Sequence, residues 1–115
     1  MKDLNKLTLK EALEGLKSKD FSSVDITTSC LENIKSRDPE IKAFISVAKK
    51  EAMEQAKKAD KLIASKGLAA FDEKPLLGIP YAAKDNFCTK GIKTTAGSKV
   101  LENFVPPYES TVTSK

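Results

Sequence analysis

The sequence predicts an α/β fold in which a helical layer, residues 1–67, precedes the first strands of a mixed sheet in residues 76–115. Two observations predict this order. Amphipathic segments bounded by helix start and stop residues fill most of the first part of the chain. Two short apolar stretches, Ile41–Val47 and Ile79–Lys84, have instead the length and composition of strands. We therefore expect the helices to pack as a layer against these strands.

The first two helices are marked by their N-terminal residues. Thr8 and Glu11 form the pattern of a capping box before a helix predicted over Leu9–Lys19. Its apolar face contains Leu9, Ala12, Leu13 and Leu16. Ser22 and Ser23 begin a second helix, which we expect to end near Arg37 because Asp38 and Pro39 follow.

After the strand predicted at Ile41–Val47, a long helix is expected over Ala48–Lys66 and ends before Gly67. Its small side chains are suited to close packing and form one stripe: Ala48, Ala52, Ala56, Ala59 and Ile63. Leu68–Pro75 then has the composition of a surface loop.

The stretch Ile79–Lys84 carries the main functional clue. Ile79–Ala83 is uncharged, and Pro80 suits the first residue of a strand. Small residues facing both ways are typical of a strand covered on both sides. Lys84, at the end of that strand, must therefore reach water or lose its charge. From this pattern alone, a solvated lysine is the commoner explanation.

Turns and loops are predicted beyond Lys84. Asp85–Asn86 and Lys90–Gly91 have turn composition. Hydroxyls follow at Thr94, Thr95 and Ser98, and they either lie near the Lys84 amine or serve ordinary loop hydrogen bonding.

The last residues predict two short helical elements. Leu101–Phe104 is expected to form a helical turn ended by Pro106 and Pro107, and Ser110 is expected to cap a further helix. The sequence stops about one turn into that helix, so we expect the chain to be part of a longer protein.

Composition and charge exclude several classes of function. The chain has 115 residues and no histidine, which removes the commonest general base and metal ligand. Cys30 and Cys88 lack zinc-site spacing, so we predict reduced thiols. The net charge is only +4, and the lysines are interspersed with acidic residues, which indicates a solvated helix face. With no signal peptide and no membrane-spanning stretch, we expect a cytoplasmic protein.

The run Gly-Ile-Pro-Tyr-Ala-Ala-Lys-Asp-Asn, residues 78–86, followed by Thr-Thr-Ala-Gly-Ser at 94–98, resembles the amidase signature family. The resemblance covers nearly the whole chain, including the Ser22–Ser23 helix start and Lys42–Ile45. It implies that residues 1–115 are the N-terminal part of a single amidase domain, an α/β sandwich with a mixed sheet. Residues 76–115 would then begin the catalytic core.

The resemblance also implies a role for Lys84, as the lysine of a Ser–cis-Ser–Lys triad. Its two serines belong to a Gly/Ser-rich signature further along the family's chain, and Ser22, Ser23, Ser98 and Ser110 do not match it. With no histidine, a buried lysine amine can serve as the base. The residues alone indicate that Asp85 and Asn86 only build the turn after the strand.

Within the family, the longer run at residues 84–95, together with residues 101–108, resembles the glutaminase subunits of tRNA-dependent amidotransferases. It implies glutamine as substrate, the B and C subunits as partners, aminoacyl-tRNA bound through the complex, and ATP and Mg²⁺ on a partner, with no cofactor or metal in this chain. Two alternatives stay open: a stand-alone amide hydrolase, and a non-catalytic helical interaction module. We expect the 115-residue chain by itself to be inactive and prone to association.

Overall fold

The computed structural model describes residues 3–115, so the first two residues of the predicted helical layer lie outside the described range. Five α-helices and two 3₁₀ turns are present between Asp3 and Lys115. The helices are α1 (Leu9–Ser18), α2 (Ser23–Ile41), α3 (Lys49–Lys66), α4 (Ala69–Glu73) and α5 (Thr111–Ser114). The 3₁₀ turns are Leu4–Lys6 and Lys99–Leu101.

The described chain divides into two compact units. The helical unit consists of residues 3–41 and 49–80 and contains α1 to α4. The loop unit consists of residues 42–48 and 81–115 and contains the Lys99–Leu101 turn and α5.

Helix α1 begins as the sequence predicts. The Thr8 hydroxyl accepts a hydrogen bond from the Glu11 N–H at 3.3 Å, and the Glu11 carboxylate accepts one from the Thr8 N–H at 2.8 Å. This confirms the capping box. The helix ends at Ser18 because Lys19 adopts a left-handed conformation with φ 61°.

Helix α2 also begins as predicted, and a carboxylate from α3 reinforces its first turn. Ser22 and Asp25 exchange hydrogen bonds of 2.9 and 3.0 Å between side chain and backbone. The Asp60 carboxylate of α3 accepts from the N–H groups of Ser23 and Val24 at 2.7 and 3.0 Å. A negative charge at these free N–H groups stabilises the helix start.

The predicted end of α2 near Arg37 is wrong, because the helix continues through Pro39 to Ile41. Proline lacks an N–H, so the backbone hydrogen bonds of α2 lose one donor at Pro39. The helix extends only two residues beyond this position. The helix ends where Lys42 adopts φ 55°. A helix that ends in this left-handed conformation usually has glycine there. The lysine at position 42 therefore gives no sequence signal that the helix ends.

The predicted bounds of α3 are confirmed to within one residue, and its predicted packing face is confirmed as well. Ala56, Ala59 and Ile63 are buried, and α3 packs along α2. Gly67 ends the helix with φ 60°. The following loop prediction is wrong in part, because α4 forms within Leu68–Pro75. Its Phe71 is 6% exposed, so burial of that ring stabilises a helix too short to persist alone.

The core of the helical unit lies between α1, α3 and α4. Leu16, Ile63 and Phe71 form its buried centre, and the half-buried side chains Leu13, Phe21, Leu77 and Ile79 pack against it. Gly78 lies beside this core with φ 83°, and an added Cβ would lie 3.2 Å from Leu16. The Ser23 hydroxyl donates to the Gly78 carbonyl at 2.7 Å, so Ser23 serves the fold. Glycine at position 78 is thus required by both conformation and space.

Both predicted strands are absent from residues 3–115, so the described chain is helical and does not itself show the α/β sandwich. Ile41 belongs to α2, and residues 42–47 are irregular and exposed. In the second stretch, Ile79 packs on the helical core, while residues 81–84 are exposed. A strand needs hydrogen bonds to a neighbouring strand, and apolar composition alone does not supply one.

Hydrogen bonds between distant loop residues organise the loop unit. The N–H groups of Gly91 and Thr94 donate to the carbonyls of Pro106 and Phe104 at 3.2 and 3.1 Å. A 3₁₀ turn forms at Lys99–Leu101, and a hydrogen-bonded turn follows over the predicted Leu101–Phe104, where the Phe104 N–H donates to the Leu101 carbonyl at 2.9 Å. Ser110 caps α5 as predicted, its hydroxyl accepting from the Thr113 N–H at 3.3 Å.

None of the described helices combines the length and apolar composition needed to cross a membrane. Cys30 and Cys88 are both free thiols, as the sequence predicts.

Candidate active site around Lys84

Lys84 lies in the loop unit, at the end of the exposed segment 81–84. The expectation of a strand covered on both sides is therefore wrong for this chain, since Tyr81 is 70% exposed. In the structure of residues 3–115, the Lys84 amine has neither an ion-pair partner nor a hydrogen-bond partner. The amine is thus available to groups outside the described chain.

The backbone of Lys84 is held although its side chain is exposed. Its carbonyl accepts a hydrogen bond from the Phe87 N–H at 3.1 Å and closes a turn over Asp85 and Asn86. This confirms that those two residues build a turn. The second predicted turn is also confirmed: the Ile92 N–H donates to the Thr89 carbonyl at 3.1 Å, and Gly91 has φ 79°.

Asp85 also makes a set of contacts that its turn role does not require. Its carboxylate accepts from the Thr95 N–H at 2.9 Å, from the Thr95 hydroxyl, and from the Gly97 N–H at 3.3 Å. Its backbone carbonyl accepts from the Ala96 N–H at 2.8 Å. Asp85 therefore binds three consecutive residues, 95–97, and we refer to this set of four hydrogen bonds as the Asp85 clamp.

The clamp affects both charge and backbone conformation. The hydrogen bonds from Thr95, first from its hydroxyl and then from its N–H, lower the pKa of Asp85, with a smaller contribution from the Gly97 N–H. Ala96 and Gly97 have φ values of 50° and 68°. These two left-handed residues lie in the segment whose three successive N–H groups donate to three oxygen atoms of Asp85, so the strained Ala96 conformation is part of the clamp.

The three candidate hydroxyls near Lys84 all take part in loop hydrogen bonds. Thr95 is bound by Asp85, and the Thr94 hydroxyl donates to the Ile92 carbonyl at 3.3 Å. The Ser98 hydroxyl accepts from the Val100 N–H at 3.3 Å and begins the 3₁₀ turn. From the sequence, these hydroxyls were expected either to lie near the Lys84 amine or to make ordinary loop hydrogen bonds, and the contacts described here are of the second kind.

A second cluster of the loop unit forms around Cys88. Its carbonyl accepts from the Ser110 N–H at 2.7 Å and from the Thr113 hydroxyl at 3.2 Å. Its thiol contacts the Tyr108 hydroxyl at 3.4 Å, which raises the pKa of that phenol. Ser110 has a structural role here, consistent with its exclusion as a nucleophile.

Glu109 makes a simpler carboxylate contact in the same unit. It accepts from the Lys90 N–H at 2.9 Å. Hydrogen bonds from Thr113 and Lys90 lower the pKa of Glu109.

Sequence reasoning identifies Lys84 but misses the clamp. The local pattern marks Asp85 only as a turn builder, because its partners lie 10 to 12 residues along the chain. A usable signal is Gly97, a residue that supplies positive φ in turns, two positions after the hydroxyl residue Thr95. No group of three or more His, Cys, Asp or Glu side chains suited to a metal ion occurs among the described residues.

The arrangement offers a lysine amine on a fixed backbone, but no nucleophile. Throughout residues 3–115, none of the hydroxyls is hydrogen-bonded to the Lys84 amine. A triad built on this lysine would therefore need its serines from elsewhere.

A family model described as Amidase matches residues 25–115, which is most of the chain. Three relatives are each named as the A subunit of glutamyl-tRNA(Gln) amidotransferase. The protein of Dehalococcoides mccartyi (strain CBDB1) is 50% identical over 115 residues, 100% of this chain. That of Desulfatibacillum aliphaticivorans is 48% identical over 112 residues, 97% of the chain, and that of Saccharophagus degradans is 48% identical over 109 residues, 95% of the chain.

The chain spans only part of these relatives. The matches cover 23% of the Dehalococcoides protein and 22% of each of the other two. The similarity therefore concerns the region around Lys84 and the preceding helices, while most of each relative lies outside it.

Proposed function

This chain belongs to the amidase family, and on that premise we propose that it is part of the glutaminase subunit of a tRNA-dependent amidotransferase. The intact protein would release ammonia from glutamine for the conversion of Glu-tRNA(Gln) to Gln-tRNA(Gln), and also of Asp-tRNA(Asn) to Asn-tRNA(Asn). The observation that carries the proposal is the 45–50% identity to relatives of that name over nearly the whole chain.

Lys84 is the catalytic residue that this chain contributes under the proposal. A neutral amine at Lys84 would accept a proton from a bridging serine, which in turn deprotonates a nucleophilic serine. The nucleophile's oxygen then bonds to the amide carbon of glutamine, the carbon–nitrogen bond breaks, and ammonia leaves with the transferred proton. Water hydrolyses the resulting ester and releases glutamate. The held backbone and unpartnered amine of Lys84 support this role.

The remaining chemistry is assigned to partners. Activation of the tRNA-bound carboxylate requires ATP and Mg²⁺, which we place on a partner rather than on this chain. The B and C subunits would complete a cytoplasmic heterotrimer, and aminoacyl-tRNA would contact the complex rather than this part of the chain.

The 115-residue chain by itself is expected to have no glutaminase activity. It supplies the proposed base but neither triad serine, and the loss of the nucleophile alone removes the covalent route. Measurable glutamine hydrolysis by the purified 115-residue chain, abolished in Lys84→Ala, would contradict the triad assignment.

The main test compares lysine variants of the full-length protein, co-expressed with its partner subunits. Lys84→Ala should lower glutaminase kcat by about 100- to 10,000-fold, the range for loss of a general base. Lys93→Ala is the matched control, because Lys93 is an exposed lysine of the same unit without a proposed role. Retention of glutaminase activity in Lys84→Ala would show the assignment to be wrong.

Two further readouts separate the alternatives. Glutamine-dependent amidation of Glu-tRNA(Gln) by the complex would support the amidotransferase, and the same assay with Asp-tRNA(Asn) tests the second substrate. Turnover of simple amides by the full-length chain without partner subunits would instead indicate a stand-alone amide hydrolase. A full-length protein without either activity would favour the helical interaction module.

A further inference from the structure

We propose that Asp85 and Thr95 act as a pair of positioning residues for the Lys84 amine, through the Asp85 clamp. This inference rests on the proposed function, in which Lys84 is the base. It assigns a role to two residues that the sequence indicates to be only turn and loop residues.

The first argument is the direct chain connection between the clamp and Lys84. Asp85 follows Lys84 and is fixed by four hydrogen bonds to residues 95–97. The Lys84 carbonyl is fixed by the Phe87 N–H. The peptide groups on either side of Asp85 are therefore restrained, and the first of them begins at the Lys84 carbonyl, directly next to the carbon that carries the lysine side chain.

The second argument is the backbone strain that accompanies the clamp. Ala96 has φ 50°, a left-handed conformation that an L-residue with a Cβ disfavours. The Asp85 carbonyl and carboxylate receive the N–H groups of Ala96 and of its two neighbours, so the strain is maintained by the clamp. Strained backbone that the surrounding contacts hold in place is common where function requires a fixed geometry.

The third argument is the contrast between the clamp and the lysine side chain. Thr95 is 5% exposed, whereas the Lys84 side chain is exposed and its amine has no partner in the part of the chain that the structure describes. A base that accepts a proton from a group outside the described chain needs such a free amine. Since no contact of its own holds the amine, its placement depends on the backbone below it.

Glu109 provides the internal comparison. Its carboxylate also accepts a backbone N–H of the same unit, that of Lys90 at 2.9 Å, and its pKa is also lowered. It differs in position, because Lys90 lies six residues from Lys84 and Glu109 is not adjacent to it. A carboxylate contact that only stabilises the loop unit should behave like Glu109, and a positioning contact should not.

The experiment measures glutaminase kcat and KM in the full-length protein, co-expressed with its partner subunits. Asp85→Asn keeps the shape of the side chain but weakens acceptance from the Thr95 hydroxyl and the Gly97 N–H. We expect kcat to fall by about 10- to 100-fold, the loss that misplacement of a catalytic group by roughly 1 Å can produce. KM should stay unchanged, because glutamine binding is not involved. The melting temperature should fall by the stability that the carboxylate contacts give the loop unit, so kcat is compared per folded enzyme.

Two substitutions at Thr95 form a matched pair of variants. Thr95→Val removes the hydroxyl at nearly constant shape and should lower kcat as Asp85→Asn does, while Thr95→Ser keeps the hydroxyl and should restore it. The double variant Asp85→Asn/Thr95→Val should lose little more than either single variant, because both break the same contact. Glu109→Gln should leave kcat unchanged.

The outcomes distinguish this inference from the proposed function. If Lys84→Ala is inactive while Asp85→Asn retains its kcat, the positioning role is wrong and the function stands. If Asp85→Asn lowers the yield or melting temperature but the folded enzyme keeps its kcat, the clamp is only structural and the inference is overturned. If Asp85→Asn does not fold, the comparison of Thr95→Val with Thr95→Ser decides by the same criteria. Activity retained in Lys84→Ala would overturn both.

Discussion

The helical unit and the loop unit are stabilised by different interactions. The helical unit buries Leu16, Ile63 and Phe71 in one apolar cluster. In the described part of the loop unit, the buried residues are Thr94, Thr95 and Pro106, and no large apolar side chain is among them. Its loops are held instead by the Asp85 clamp and by backbone hydrogen bonds. The candidate site around Lys84 thus lies in the unit with less apolar burial.

The exposed apolar side chains follow the same division. The loop unit exposes ten large hydrophobic residues, at positions Phe44, Ile45, Val47, Tyr81, Phe87, Val100, Leu101, Val105, Tyr108 and Val112. Exposed apolar surface promotes association, so the prediction that the isolated chain associates rests mainly on this unit.

The largest expected effect tests the apolar core. Leu16→Ala in the full-length protein should lower the free energy of unfolding by about 2–5 kcal/mol, through lost burial and an added cavity. Leu16 is 2% exposed. Hydrogen exchange should accelerate throughout α1, α3 and α4. Val100→Ala, at a position that is 92% exposed, is the control and should change stability by less than about 0.5 kcal/mol. Equal effects of the two variants would contradict the proposed core.

The next effect tests close packing within the helical unit. At Gly15 of α1, an added Cβ would lie 2.2 Å from two carbon atoms of the Phe21 ring. Gly15→Ala should therefore destabilise the protein by about 1–3 kcal/mol, although alanine favours a helix. Denaturant unfolding measures the loss, and Gly15→Ala/Phe21→Leu should recover part of it. A stabilised Gly15→Ala variant would show that the ring has room to move.

Acid should weaken the loop unit before the apolar core. Hydrogen bonds lower the pKa values of Asp85 and Glu109 in the folded protein, from Thr95 and Thr113 foremost. Carboxylates with depressed folded-state pKa values contribute stability that is fully present above their unfolded values, about 4. That stability is lost as the pH falls through the lower folded-state values.

Hydrogen-exchange protection factors of residues 85–97, compared between mildly acidic and strongly acidic solution, check this prediction. Protection should fall on acidification in the wild type and should change less in Asp85→Asn, which has no carboxylate to protonate there. A core helix such as α3 is the internal reference. Loss of protection in α3 before residues 85–97 would contradict the comparison between the units.

The smallest expected effect concerns backbone strain in the clamp. Ala96→Gly removes the penalty of about 1–2 kcal/mol for an L-residue in the left-handed region but adds about 0.5–1 kcal/mol of chain entropy. A small net stabilisation is expected, visible as a slightly raised melting temperature. Ala82→Gly, in an exposed segment without this conformation, should be neutral or slightly destabilising. A destabilised Ala96→Gly would indicate that the alanine methyl group contributes packing.

The sequence by itself determined the features that depend on neighbours a few residues apart. It predicts the capping box at Thr8, the helix start at Ser22, the end of α3 at Gly67, and the turns at Asp85–Asn86 and Lys90–Gly91. Helix ladders, caps and turns join residues two to four positions apart, so their partners are visible in a short stretch of sequence. The family, and Lys84 as the candidate residue, were inferred from a motif that is likewise a short stretch of sequence.

Only the tertiary structure decided the features whose partners lie far along the chain. Ile79 could have entered a strand, but Leu16, Ile63 and Phe71 offered it an apolar cluster to pack against. Asp85 resembled any turn aspartate until the fold brought Thr95 and Gly97 to its carboxylate. A strand or a side-chain clamp forms only when a complementary partner is present. The local sequence shows that a residue can make such a contact, but it does not show which residue will be its partner.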